Sequence, residues 1–132
     1  MAPLKMLIVD DDRTNAVVLS ELVEEFGKSD CVSCGSEAID VFTQELRNGE
    51  PYDLIFLDIM MPKITGLHVL KVFRSLEHIA GKPNYSKIVM CTGLDDRPTI
   101  INSFHNGADG YIVKPIDYKE LIAKLNKLFN RG

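Results

Sequence analysis

Residues 54–57 read Leu-Ile-Phe-Leu, an apolar run that stops at Asp58 and is followed four positions later by Pro62. A run this short, between turn residues, has the pattern of a strand buried on both faces. Such strands belong to parallel sheets covered by helices. Its terminal carboxylate falls at the carboxyl edge of the sheet, where open α/β folds bind their ligands. Asp58 is therefore the first candidate for chemistry.

The rest of the chain fits the same architecture. Residues 4–9 form a first apolar strand ending in Asp10, Asp11 and Asp12. Residues 14–26 carry Val18, Leu19, Leu22, Val23 and Phe26 at helical spacing, and Gly27 stops them as a helix C-cap would. Residues 30–34 are a weaker second strand. Ser36 can cap a helix running to residue 48, with Ala38, Ile39, Phe42 and Leu46 inward. The third strand spans 52–57 and the third helix 67–77, with Leu67, Leu70, Phe73 and Arg74 along one side. Residues 79–86 read as a polar loop. Residues 87–91 are the fourth strand, ending in Thr92-Gly93, and 97–106 a fourth helix with Pro98 in its first turn. Residues 110–113 are the fifth strand, ending in Lys114-Pro115. Asp117 and Glu120 make a capping-box pattern for a last helix reaching residue 129. Five strands alternating with five helices imply a doubly wound α/β sheet with right-handed crossovers.

The 132 residues suit one domain with one adequate core. A hydrophobic content of 45% with 26% charged residues opposes disorder, and a net charge of -4 disfavours direct nucleic-acid binding. No apolar run has the length of a membrane span and the N-terminal residues lack a signal-peptide pattern, so a cytoplasmic location without membrane association is expected. Cys31, Cys34 and Cys91 are an odd set without a disulfide framework. Cys31 and Cys34, placed in a strand, should point to opposite faces.

In this architecture Asp10, Asp11, Asp58, Thr92 and Lys114 all follow strand ends along one edge. Each has an ordinary alternative: helix cap, loop cap, turn residue, surface lysine. Their joint occurrence on one edge is harder to explain that way. Clustered carboxylates repel and raise one another's pKa, and a hard divalent cation relieves this. Mg²⁺ prefers oxygen ligands and commonly works with phosphate. The set reads as a Mg²⁺ site facing a phosphoryl group, with an aspartate able to act as nucleophile.

The motifs LIVDDD (7–12), DLIFLDIMMP (53–62), CTG (91–93) and YIVKP (111–115), in this order and spacing, resemble the response regulator receiver domain of two-component signalling. The resemblance covers essentially the whole chain. It implies a single receiver domain over residues 1–132 and a flavodoxin-like (βα)5 fold of strand order 2-1-3-4-5, and no output domain is expected within these residues. It assigns Asp58 as phosphoacceptor for a sensor histidine kinase or histidine phosphotransfer protein. Mg²⁺ (or Mn²⁺) would be bound by Asp58, by Asp11 directly, by Asp10 through water and by the Met60 backbone carbonyl. Thr92 and Lys114 would grip the phosphoryl oxygens, Tyr111 would be the aromatic that turns inward, and Lys114-Pro115 would be cis. Phosphorylation would alter the surface of helix four, strand five and helix five to control a downstream protein, and a phosphorylation-dependent homodimer through that face is compatible with this. The chain would be a self-modifying switch rather than a turnover enzyme.

Two departures stand out. Thr65 replaces an acidic residue before Gly66, where only the glycine is needed by the turn. Met60 and Leu94, two residues past Asp58 and Thr92, replace polar groups that help place the hydrolytic water, so the phosphoryl group should be long-lived. His68, His78 and His105 are expected at surface or boundary positions. Among other classes, an aspartate-nucleophile phosphatase of the dehalogenase type needs an acid/base aspartate where Met60 stands. A flavin site needs a Ser/Thr/Gly-rich loop where three aspartates stand. A phosphorelay intermediate or phosphate sink remains an alternative within the family.

Overall fold

In the computed structural model, which describes residues 3–93 and 97–130, the central strands are the most deeply buried part of the chain. Strands β1 (Leu4–Val9), β2 (Gly27–Val32), β3 (Leu54–Asp58), β4 (Lys87–Thr92) and β5 (Gly110–Val113) alternate with five helices. These are α1 (Arg13–Leu22), α2 (Gly35–Arg47), α3 (Gly66–Ile79), α4 (Arg97–His105) and α5 (Tyr118–Leu128). All pairings are parallel and the order is β2-β1-β3-β4-β5, as the resemblance implied.

Side chains alternate across a strand with period two. Leu7, Val9, Ile55, Leu57, Ile88 and Met90 therefore enter one core layer, and Met6, Ile8, Leu54, Phe56, Val89 and Cys91 the other. Phe42 of α2 and Phe73 of α3 stack in the first layer, with centroids 4.1 Å apart and rings 13° from parallel. Ala16 and Leu19 of α1 and Leu121 and Leu125 of α5 close the second. Each large apolar side chain so buried contributes roughly 1.5–3 kcal/mol. No helix among the described residues is long and apolar enough to cross a membrane.

Several expectations need correction. The first helix stops at Leu22, and Glu24–Phe26 form a separate 3₁₀ turn. Val23, fully buried, leaves helical geometry at φ -102°, ψ 6°, while Val18, counted in the apolar pattern, is half exposed. Strand β2 begins at Gly27 and ends at Val32, earlier than expected. Gly27 adopts φ 148°, and a β-carbon there would lie 2.0 Å from the Leu4 carbonyl oxygen, so the close pairing with β1 requires glycine. As an edge strand with a half-exposed, polar sequence, β2 gives little apolar signal. Finally, Cys34 rather than Ser36 occupies the N-cap of α2, without a side-chain cap bond. Cys31 in β2 and Cys34 are both exposed and free, so the two thiols lie on different elements rather than in one strand.

The end of the sheet opposite Asp58 is held by an ionic network that sequence patterning did not reveal. Arg74 of α3 was expected along an apolar stripe. Its guanidinium instead donates to Glu77 (2.6 Å), to the Ser86 carbonyl (2.9 Å), to the Gly107 carbonyl (2.8 and 3.0 Å) and to Asp109 (2.9 Å). Glu77 is fully buried and also accepts from the Ser86 N–H at 2.8 Å. Asp109 accepts from the Ile88 N–H at 2.9 Å. These bonds join α3 to the starts of β4 and β5. Removing one partner of a buried, hydrogen-bonded pair leaves a desolvated charge unpaired. Glu77→Ala should therefore lower the unfolding free energy by about 3 kcal/mol, against under ~0.5 kcal/mol for the exposed Lys71→Ala. Urea denaturation at neutral pH measures both, and similar midpoints would mean the network carries little of the stability.

Candidate functional site

The register of the sheet brings the acidic residues together. Val9 pairs with Leu57, so Asp10 and Asp58 emerge side by side on adjacent strands, and Asp58 pairs in turn with Cys91 on β4. One carboxylate oxygen from each of Asp10, Asp11 and Asp58 lies within 4.8 Å of the others. Asp10 and Asp58 are buried and Asp11 is exposed. The third aspartate of the run has another task. Asp12 caps α1, accepting from the N–H groups of Thr14 (2.9 Å) and Asn15 (3.2 Å). The helix-cap alternative thus holds for Asp12 alone.

Lys114 follows β5 and crosses to the same point. Its Nζ donates to Asp10 Oδ2 at 2.9 Å and lies 3.5 Å from Asp58 Oδ1. Asp10 Oδ1 accepts from the Asp12 N–H at 2.9 Å, which fixes the rotamer that meets Lys114. Thr92 ends β4, buried, one residue past the partner of Asp58. The Lys114-Pro115 peptide is cis.

The loop after Asp58 folds tightly back on the strand. Ile64 N–H donates to the Pro62 carbonyl at 2.8 Å around Lys63, whose φ is 69°. Gly66 N–H donates to the Ile59 carbonyl at 3.0 Å. A β-carbon on Gly66 would sit 2.0 Å from the Asp58 carbonyl oxygen. Glycine is needed here for that close approach. Thr65, the residue that departs from the acidic pattern, caps α3 by accepting from the His68 N–H at 3.3 Å. Met60 donates its N–H to Asp58 Oδ1 at 3.3 Å, and its side chain is 70% exposed above the strand end.

Burial pushes Asp58 up to about 6, the nearby Asp10 carboxylate adds to the rise, and Lys114 opposes it. For Lys114 burial acts downward, but its hydrogen bond to Asp10 and the charges of Asp58 and Asp10 outweigh it, so its pKa rises. Beneath them, burial pushes the Cys91 thiol up to about 12, which keeps it neutral. A cavity of about 400 Å³ opens beside Asp10 and Lys114, walled by Val18, Leu19, Leu22 and Ile116. The half-exposed Val18 lines this cavity, outside the core.

Three carboxylates offering only oxygen donors, with one ammonium among them, fit a hard divalent cation. Tyr111 is not among these contacts. It packs half-buried against the first core layer, edge-on to Phe104. Leu94 lies outside the described residues. His68, His78 and His105 are exposed.

Comparison with known proteins agrees with the geometry. The family model of the response regulator receiver domain matches residues 6–126. The chain is 33% identical over 127 residues to a probable transcriptional regulator, ycf27, of Cyanidium caldarium, covering 96% of this chain and 46% of that protein. It is 31% identical over 129 residues to the transcriptional regulatory protein CpxR of Escherichia coli K12, covering 97% of this chain and 50% of that one. The chain thus spans about half the length of these curated relatives. Among solved structures, a two-component response regulator from Clostridium difficile superposes with a TM-score of 0.81 at 29% identity, covering 97% of both chains.

The electrostatics of Asp58 have a measurable consequence. Its folded-state pKa, about 6, lies above the ordinary 3.8. The stability its proton contributes is complete below the ordinary value and is lost as pH rises through about 6. Asp58→Asn is neutral throughout. In EDTA at pH 7.5 it should be more stable than the parent by on the order of 1 kcal/mol, and the difference should vanish below about pH 4. Denaturant midpoints at the two pH values test this; a less stable variant at pH 7.5 would show that Lys114 more than compensates the crowding.

Proposed function

This chain belongs to the response regulator receiver domain family, and on that premise we propose that Asp58 accepts a phosphoryl group from a histidine of a partner kinase or phosphotransfer protein. Membership implies phosphorylation-dependent signalling rather than classical enzymatic turnover. The observation that carries the residue-level proposal is the convergence at one sheet edge of Asp10, Asp11 and Asp58, with carboxylate oxygens within 4.8 Å of one another, and of Lys114, 2.9 Å from Asp10 and 3.5 Å from Asp58.

In the proposed reaction an Asp58 carboxylate oxygen attacks phosphorus in line. The P–N bond to the donor imidazole breaks and its electron pair stays on the ring nitrogen. With a pKa near 6, Asp58 is mostly ionised at neutral pH and ready to attack. Asp58, Asp11 and the Met60 carbonyl would hold Mg²⁺, with Asp10 acting through a water. The ion supplies charge neutralisation at the phosphoryl oxygens. Lys114 already stands 3.5 Å from Asp58 and would turn from Asp10 to a phosphoryl oxygen. Thr92 would donate its hydroxyl to another.

The switch follows from differential contacts. A phosphoryl dianion gives one conformation bonds to Thr92 and Lys114 that the other lacks, and populations shift accordingly. Thr92 moves toward the phosphoryl group and Tyr111 occupies the space left behind. The face formed by α4, β5 and α5 changes, and a partner protein or a second copy reads the change. The apolar cavity beside Lys114 would admit a side chain of the phosphodonor next to its histidine.

Incubation with Mg²⁺ and acetyl phosphate, followed by intact mass, tests the chemistry. The parent should gain one phosphoryl group, EDTA should abolish the gain, and Asp58→Asn should show none. A gain retained in Asp58→Asn would remove Asp58 as acceptor. Met60 and Leu94 give a second test, because apolar groups at these positions exclude the hydrolytic water. Met60→Asn and Leu94→Glu should each shorten the phosphoryl lifetime by about three- to ten-fold, the effect of a hydrogen bond of about 1 kcal/mol on a barrier. Unchanged decay in both variants would show that the two positions do not govern hydrolysis.

A further inference from the structure

Strand β5 is the last strand of the sheet, with β4 on one side only. Lys114 N–H donates to the Thr92 carbonyl at 2.7 Å. Successive residues of an extended chain alternate in direction, so the Tyr111 carbonyl, three residues earlier, faces the open edge. Lys124 of α5 occupies that edge. Its ammonium donates to the Tyr111 carbonyl and lies 4.8 Å from the centroid of the Tyr111 ring. Its stem runs beside Gly110, where a β-carbon would come within 3.5 Å of Lys124 Cδ. Phe104 of α4 meets the same ring edge-on, with centroids 6.2 Å apart and an interplanar angle of 84°. Among the described residues Lys124 makes no ion pair, so its charge is directed at Tyr111.

We propose that Lys124 is a positioning residue that holds the Tyr111 ring between α4 and α5 and thereby sets the resting bias of the switch. The inference rests on the proposal that Tyr111 moves on phosphorylation. Any inward rotation takes the ring out from under the ammonium. The carbonyl bond, made to the backbone, can persist while the ring contact breaks. Lys124 therefore acts on the two ring positions unequally, which is what a bias requires. Phe104 contributes shape but no charge, so the cation supplies the electrostatic part of the preference.

The test uses the whole chain with ring-labelled tyrosine, the Tyr111 signal being assigned by Tyr111→Phe among the four tyrosines. Spectra are taken without ligand and with Mg²⁺ and beryllofluoride as the phosphoryl analogue. In ligand-free Lys124→Met, which keeps the stem and loses the charge, the signal should move part-way toward the beryllofluoride position. The inward population should rise by about two- to five-fold, the range an exposed cation–π contact supports. Lys124→Gln, which keeps a donor for the carbonyl, should behave like Lys124→Met, and Lys124→Arg should stay at the parent position. If the parent signal moves with beryllofluoride but Lys124→Met coincides with the ligand-free parent, the role of Lys124 is overturned and the switch role of Tyr111 stands. If the parent signal does not move at all, the switch role itself fails and the bias with it.

Discussion

Three carboxylates whose oxygens lie within 4.8 Å of one another can share the end of a sheet only if something offsets their repulsion. In the structure Lys114 does this, bonded to Asp10 and close to Asp58. These residues come from the ends of β1, β3 and β5, so the interaction depends on the order β2-β1-β3-β4-β5. Burial of the Asp58 carboxylate raises its pKa most, the Asp10 charge adds to the rise, and Lys114 offsets only part of it, so Asp58 remains shifted up to about 6. An electrostatically unsettled cluster is one whose contacts rearrange when a cation binds or a phosphoryl dianion is added.

The two ends of the sheet are built differently. At the amino edge, Arg74, Glu77 and Asp109 bind backbone groups at or just before the starts of β4 and β5 and tie α3 to both strands. Arg74 is paired there with both Glu77 and Asp109, so little is gained by rearrangement. At the carboxyl edge the ionic contacts converge on a few side chains, and Tyr111 is held from outside by Lys124 and Phe104. A fixed end and an adjustable end would suit the proposed switch, in which the surface changes and the sheet does not.

Reading these features from sequence succeeded where the signal was local. The apolar runs of β1, β3 and β4 are buried on both faces and stand out in any window. Asp117 caps α5 as its spacing with Glu120 predicts, accepting from the Glu120 N–H at 3.1 Å. Reading failed where neighbours decide. Strand β2 is polar because it lies at an edge, and Gly27 closes a 3₁₀ turn and opens that strand because the Leu4 backbone approaches it closely. Val18 has the spacing of a core residue but lines a cavity beside the site. Arg74 has the spacing of an apolar stripe but anchors an ionic network, and nothing in the chain announces that its partner Glu77 is fully buried.

The chain by itself determined the architecture and the chemistry available to it. Alternating periods of two and 3.6 define five strands and five helices, and a parallel sheet must deliver Asp10, Asp58, Thr92 and Lys114 to one edge. Only the tertiary structure decided how those groups share the edge. It separated Asp12, which caps α1, from Asp10 and Asp11, which face Asp58. It set Lys114 against Asp10 more closely than against Asp58, and it brought Lys124 over Tyr111. Periodicity is a property of neighbours along the chain. Charge pairing, desolvation and close backbone approach are properties of residues that meet only after folding.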